Sequence, residues 1–157
     1  MGKFVSKFVF LPPNKFTIPD EDDLTLATDH GSKIQVKIID RNAQFTIVVS
    51  HGNAEDIYSV LYWTENVLLK YVNVNVVMYG NIILNKEYTG YGSNEEDLIS
   101  NETFLYNDIE TVYNYLVNQL GVKPETIILY GRSLGSGPSC YLAEKRNVGG
   151  YIIFNQV

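Results

Sequence analysis

The stretch that most limits how this chain can fold is Thr126-Ile127-Ile128-Leu129-Tyr130-Gly131-Arg132-Ser133-Leu134-Gly135. A short apolar run, rich in β-branched residues, suits one strand buried on both faces, and it passes without a linker into G-x-S-x-G. The residues that follow, from about Ser136 to Arg146, read as a helix. A strand, a glycine-flanked serine and a helix in direct succession require a sharp, strained corner that lifts the serine clear of the sheet. Ser133 is therefore the candidate nucleophile, and Gly131 and Gly135 are the small residues that let the corner close. The helix beginning there would aim its N-terminal dipole at negative charge developing on the serine oxygen.

The rest of the sequence supplies a sheet for that corner. Leu24–Thr28 and Lys33–Ile39 alternate as strands around the turn Asp29-His30-Gly31-Ser32, which predicts a hairpin. Phe45–Val49 is a continuous run that suits a buried strand, and Val74–Tyr79 reads as another strand. Between them, from Glu55 to Tyr71, apolar residues recur at helical spacing in two stripes: Ile57, Leu61, Leu68 and Val60, Trp63, Val67, Tyr71. Phe104 to Leu120 carries a strong amphipathic pattern closed by Gly121, and a last strand runs from about Gly150 to Phe154. A hairpin followed by alternating strands and helices predicts an α/β fold, with a mostly parallel sheet covered by helices on both faces. Cys140, on the helix after the corner, is expected to pack rather than react. The acidic run Asp20-Glu21-Asp22-Asp23 reads as a solvated turn, and Asp56 as a complement to the start of the first helix.

A second chemical signal, Ser50-His51-Gly52-Asn53-Ala54-Glu55-Asp56, ends the Phe45–Val49 strand. Folds with this serine corner place half of an oxyanion hole there. One amide would come from Leu134 and the other from Asn53 or its neighbour, with His51 and Gly52 supporting the loop. Two preorganised N–H groups stabilise a tetrahedral oxyanion by several kcal/mol, often the largest single catalytic contribution. His51 is expected to hydrogen-bond within the loop rather than act as the base.

Composition removes other classes of function. The 157 residues have a net charge of −6, and their 12 lysines and arginines are scattered, so no basic surface for nucleic acid is expected. One cysteine and two histidines do not make a structural zinc site, and neither metal nor cofactor is expected. A lone cysteine also fits a reducing, cytoplasmic location. No apolar stretch nears the roughly 20 residues that span a bilayer. Met1-Gly2-Lys3-Phe4-Val5-Ser6 matches an N-myristoylation signal, which marks 1–15 as either a membrane-targeting segment on Gly2 or the first core strand. One myristoyl chain anchors only weakly.

Taken in order, Phe10-Leu11-Pro12-Pro13, His51-Gly52-Asn53-Ala54-Glu55-Asp56, Glu87-Tyr88-Thr89-Gly90-Tyr91-Gly92 and Ile128 to Pro138 resemble α/β-hydrolase domain-containing family 17, the membrane-associated protein depalmitoylases. The resemblance covers most of residues 8–153. It implies an α/β-hydrolase fold over residues 16–157. It also implies a serine hydrolase that cleaves the thioester of S-acylated protein cysteines at a membrane face. Two departures stand beside it. In the family an acidic residue and then a histidine follow the serine, whereas the sequence after Ser133 contains neither Asp nor His. The expectation is a partial domain whose acid–base pair is absent, with one sheet edge left uncovered. In addition, the seven residues Gly80–Lys86 interrupt the passage from Tyr79 to Glu87. They and Phe154–Val157 read either as translated non-coding sequence or, for the internal segment, as a surface-loop insertion. Two further readings stay open: a catalytically silent fragment that binds acyl chains or a partner protein, and a serine peptidase or carboxylester hydrolase on the same fold.

Overall fold

The computed structural model describes residues 23–52, 55–81 and 102–155. The N-terminal segment with Gly2, the acidic residues before Asp23, Asn53, and the Glu87–Gly92 motif lie outside these. Strands β1 (Leu24–Ala27) and β2 (Lys33–Ile39) form the expected hairpin. Then come β3 (Thr46–Ser50), helix α1 (Ile57–Trp63), a π-helical stretch (Thr64–Leu68), α2 (Leu69–Tyr71) and β4 (Asn75–Asn81). The chain resumes in α3 (Glu102–Asn118), β5 (Ile127–Arg132), a 3-10 turn (Ser133–Gly135), α4 (Ser136–Lys145) and β6 (Gly150–Phe154).

The six strands make one sheet in the order β1-β2-β4-β3-β5-β6. The hairpin joins antiparallel through β2 and β4, while β4, β3, β5 and β6 run parallel. Period-2 alternation divides the central strands between two cores. Val48, Val77 and Leu129 face α3 and α4, where Ile109, Val112, Leu116 and Leu142 cover them. Ile47, Val49, Val76 and Met78 face α1, packing on Ile57 and Val60. Burial on both faces explains why these strands read as unbroken apolar runs.

Three expectations are corrected. Helix residues Val67 and Tyr71 are exposed, 45% and 85%, while Leu61 and Leu68 of the other stripe pack on the core as expected and Leu69 joins them. The π-helical stretch holds more residues per turn and so turns the Val67–Tyr71 face away from the α-helical stripe. Asp23 is not solvated: its carboxyl, 2% exposed, takes Lys37 Nζ and the Tyr58 hydroxyl at 3.0 Å each, and Gln35 Nε2 as well. Cys140 is exposed, because α4 turns Pro138, Ser139 and Leu142 inward and leaves Cys140 on its outer side. Parts of the Gly80–Lys86 and Phe154–Val157 segments take part in the sheet. Gly80 and Asn81 extend β4 opposite Gln35 and Ile34, and Phe154 pairs with Arg132. A hydrogen-bond ladder requires only backbone, so it accepts them whatever their side chains. Among the described residues β6 is an edge strand, and its Tyr151, Ile152 and Phe154 are 60%, 50% and 45% exposed.

Asp56 caps α1 through a reciprocal pair: its carboxylate accepts the Ser59 N–H at 2.8 Å, and its own N–H donates to Ser59 Oγ at 3.0 Å. Asp56→Ala removes that cap and should lower stability by about 1 kcal/mol. A thermal melt followed by circular dichroism should accordingly drop by about 2–4 °C.

Candidate active site

The carboxyl ends of β3 and β5 meet where the strand order reverses: from β3 the chain moves outward to β4, then returns to β5 on the other side. In open α/β sheets such a reversal leaves a crevice suited to a ligand. The parallel register sets Ser50 beside Gly131, so the residues just beyond each strand become neighbours.

Ser133 stands exposed at the top of this crevice with φ 50°. A non-glycine residue in the left-handed region carries about 1 kcal/mol or more of strain and persists only where its surroundings enforce it. Here the flanking glycines enforce it. A Cβ at Gly131 would lie 2.7 Å from the Gly135 carbonyl oxygen and 2.8 Å from Ser136 Cα. A Cβ at Gly135 would overlap the Ser50 carbonyl and come 2.7 Å from that of His51. Backbone therefore packs on backbone at both ends of the corner, and only glycine fits. Helix α4 starts immediately after it, with the Ser136 hydroxyl donating to Asn155 Oδ1 at 3.0 Å.

The loop after β3 is tied down from below and from the side. Ser50 Oγ lies 2.6 Å from the Tyr79 hydroxyl, a fully buried pair under the crevice. Burial, more than the nearby Asp108, pushes the Tyr79 phenol well above its ordinary range, so it stays protonated. His51 Nδ1 is 3.0 Å from the Gly52 carbonyl oxygen, a bond it donates when that nitrogen carries the proton. Its Nε2 lies 3.2 Å from where a Gly80 Cβ would be, so the ring leans toward β4, on the side of β3 away from Ser133. His30 sits in the β1–β2 turn, edge-on to Phe104 at 5.8 Å. Neither histidine is hydrogen-bonded to Ser133, whose hydroxyl has no partner among the described residues. Leu134 is half-buried directly after the serine, and Asn53 lies outside the described residues.

Two residues passed over in the sequence join this loop to the corner. Glu55 Oε2 accepts the Gly52 N–H at 2.7 Å, and Oε1 accepts Arg132 Nη1 at 2.5 Å. The Gly52 amide is thereby committed to Glu55 and is not available to an oxyanion. Their sequence signal was present, an acid in the first loop and a base beside the serine, but only the β3–β5 register pairs them.

No family model matches this chain. It is 35% identical over 127 residues to L404 of Acanthamoeba polyphaga mimivirus, named as an α/β hydrolase, across 78% of this chain and 45% of the relative. It is 28% identical to human alpha/beta hydrolase domain-containing protein 17B over 173 aligned positions, 92% of this chain and 57% of that protein. The resemblance to family 17 is borne out by such relatives. Among solved structures, the Pyrococcus furiosus esterase Pf2001 superposes with a TM-score of 0.60 at 19% identity, across 89% of this chain and 56% of that one. The fold is that of the α/β hydrolases. The chain spans about half the length of the curated relatives it matches.

The glycine contacts give a paired test. Gly135→Ala forces a methyl into the Ser50 carbonyl and should cost about 3 kcal/mol or more, at the upper end of overpacking penalties. Gly137→Ala, with nothing within 4 Å of its added Cβ, should leave the denaturation midpoint unchanged or slightly raised. Urea denaturation of the two variants beside the parent measures both.

Proposed function

We infer that this α/β-hydrolase-fold chain, related to family 17, carries the nucleophile side of a serine acyl hydrolase, with the acyl thioester of an S-acylated protein as its preferred substrate. The observation that carries the reading is Ser133 itself, exposed at φ 50° between two glycines that admit no side chain. That strained corner presents the hydroxyl above the crevice where an acyl carbonyl would sit.

In the reaction, Ser133 Oγ attacks the carbonyl carbon, giving up its proton to a base. The carbonyl oxygen becomes an oxyanion held by the Leu134 and Asn53 amides. Collapse of that intermediate breaks the carbon–sulfur bond, the proton passes to the departing thiolate, and water then releases the acyl group from Ser133. His30 and His51 are this chain's only histidines, and their geometry does not suit the base. The reading therefore assigns base and acid to sequence of the kind the relatives carry beyond the matched half. Acylation of Gly2 would bring the site to the cytoplasmic face of a membrane, where lipidated proteins reside.

A second reading, a silent acyl-binding fragment, is favoured by one observation: Ser133 has no hydrogen-bond partner among the described residues. A fluorophosphonate probe applied to the folded chain beside Ser133→Ala separates the two. Slow labelling that the alanine variant abolishes is expected, since an oxyanion hole retains part of the rate after a triad is broken. Protection by a palmitoyl thioester, but not by a short carboxylester or a peptide, would support the substrate class. Folded but unlabelled protein would establish the silent reading.

A further inference from the structure

We propose that Glu55 and Arg132 form a charge-balanced clamp that positions the oxyanion loop against the serine corner. This rests on the reading of Ser133 as nucleophile. One carboxylate serves two loops: Oε2 holds the Gly52 N–H at 2.7 Å and Oε1 holds Arg132 Nη1 at 2.5 Å. Gly52 immediately precedes Asn53, and Arg132 immediately precedes Ser133, so the clamp grips the chain one residue before each of them. Gly52 also approaches the corner directly, since a Cβ there would lie 3.5 Å from the Arg132 carbonyl oxygen.

Charge makes the clamp more than a brace. A carboxylate beside a site that must receive negative charge opposes the oxyanion, unless a cation cancels it. Arg132 supplies that cation from the corner itself, and the pair is partly sheltered, with side chains 39% exposed for Arg132 and 23% for Glu55. As a stability element such a half-exposed ion pair contributes little. Its effect falls on geometry and field at the site, where small displacements of reacting groups cost large factors in rate. Both residues are positioning residues, because neither reaches the reacting atoms.

Removing only the positive member, in Arg132→Gln, leaves the Glu55 charge uncompensated and should slow fluorophosphonate labelling of Ser133 by about tenfold, the scale of one charge-assisted hydrogen bond. Removing both charges, in the double variant Glu55→Gln/Arg132→Gln, should recover part of that loss. A merely structural tie would make the double variant at least as slow as Arg132→Gln, and that result overturns the proposal. A second readout is independent of chemistry. Amide hydrogen exchange of Gly52, measured by NMR, should be protected in the parent and faster in Arg132→Gln, although Arg132 does not touch that amide. An unprotected Gly52 in the parent, or exchange unchanged in Arg132→Gln, also overturns it. Should the parent fail to label at all, the nucleophile reading falls, and Gly52 exchange decides the clamp alone.

Discussion

Everything at the carboxyl end of this sheet depends on one contact between backbones, that of Gly135 against the carbonyl groups of Ser50 and His51. It lets the turn after β5 lie directly on the end of β3, with no side chain between them. From that approach follow the left-handed Ser133, the start of α4 at the crevice, and the meeting of Gly52 with Arg132. The parallel register of β3 and β5 fixes the contact along the strands, and apolar residues on both faces of those strands fix the register. A one-residue slip would turn each core inside out, so the strained corner is held by the cooperative burial of two cores rather than by any bond of its own.

Beneath that contact lies a small polar layer in an otherwise apolar sheet. Ser50 and Tyr79 share a short hydrogen bond at 2.6 Å between adjacent strands, and burial keeps the phenol protonated. A satisfied pair of this kind adds direction to packing that is otherwise nondirectional. At the other side of the sheet Asp23 does similar work, gathering Lys37, Gln35 and Tyr58 so that the hairpin and α1 share one anchor.

Much of this was legible before any coordinates. Apolar runs at Phe45–Val49 and Thr126–Tyr130 read as strands buried on both faces, and the glycines around Ser133 announce a corner. The features that escaped share a cause: each is decided by a partner far away in sequence or by a slip in local hydrogen bonding. The π-helical stretch Thr64–Leu68 has no residue signature, yet it redirects Val67 and Tyr71 into solvent. Asp23 sits in a run of acids that reads as solvated, and its burial depends on Lys37 and Tyr58 arriving from other elements. Glu55 and Arg132 lie 77 residues apart, so neither suggests the other until the strand register is known. The exposure of Cys140 is not written in its own sequence, because the inward face of a short helix with mixed composition is set by its neighbours.

The sole tryptophan, Trp63, is stacked on Tyr130 with ring centres 5.4 Å apart, and it is also the last residue of α1 before the π-helical stretch. Tyr130 lies on β5, in the same strand as Arg132 and just ahead of the serine corner. The molecule's indole emission therefore arises at the joint between its irregular helix and the strand that carries the corner. Any loosening of that joint changes the polarity and stacking around the one indole, so the protein carries its own optical gauge of the seating on which its crevice rests.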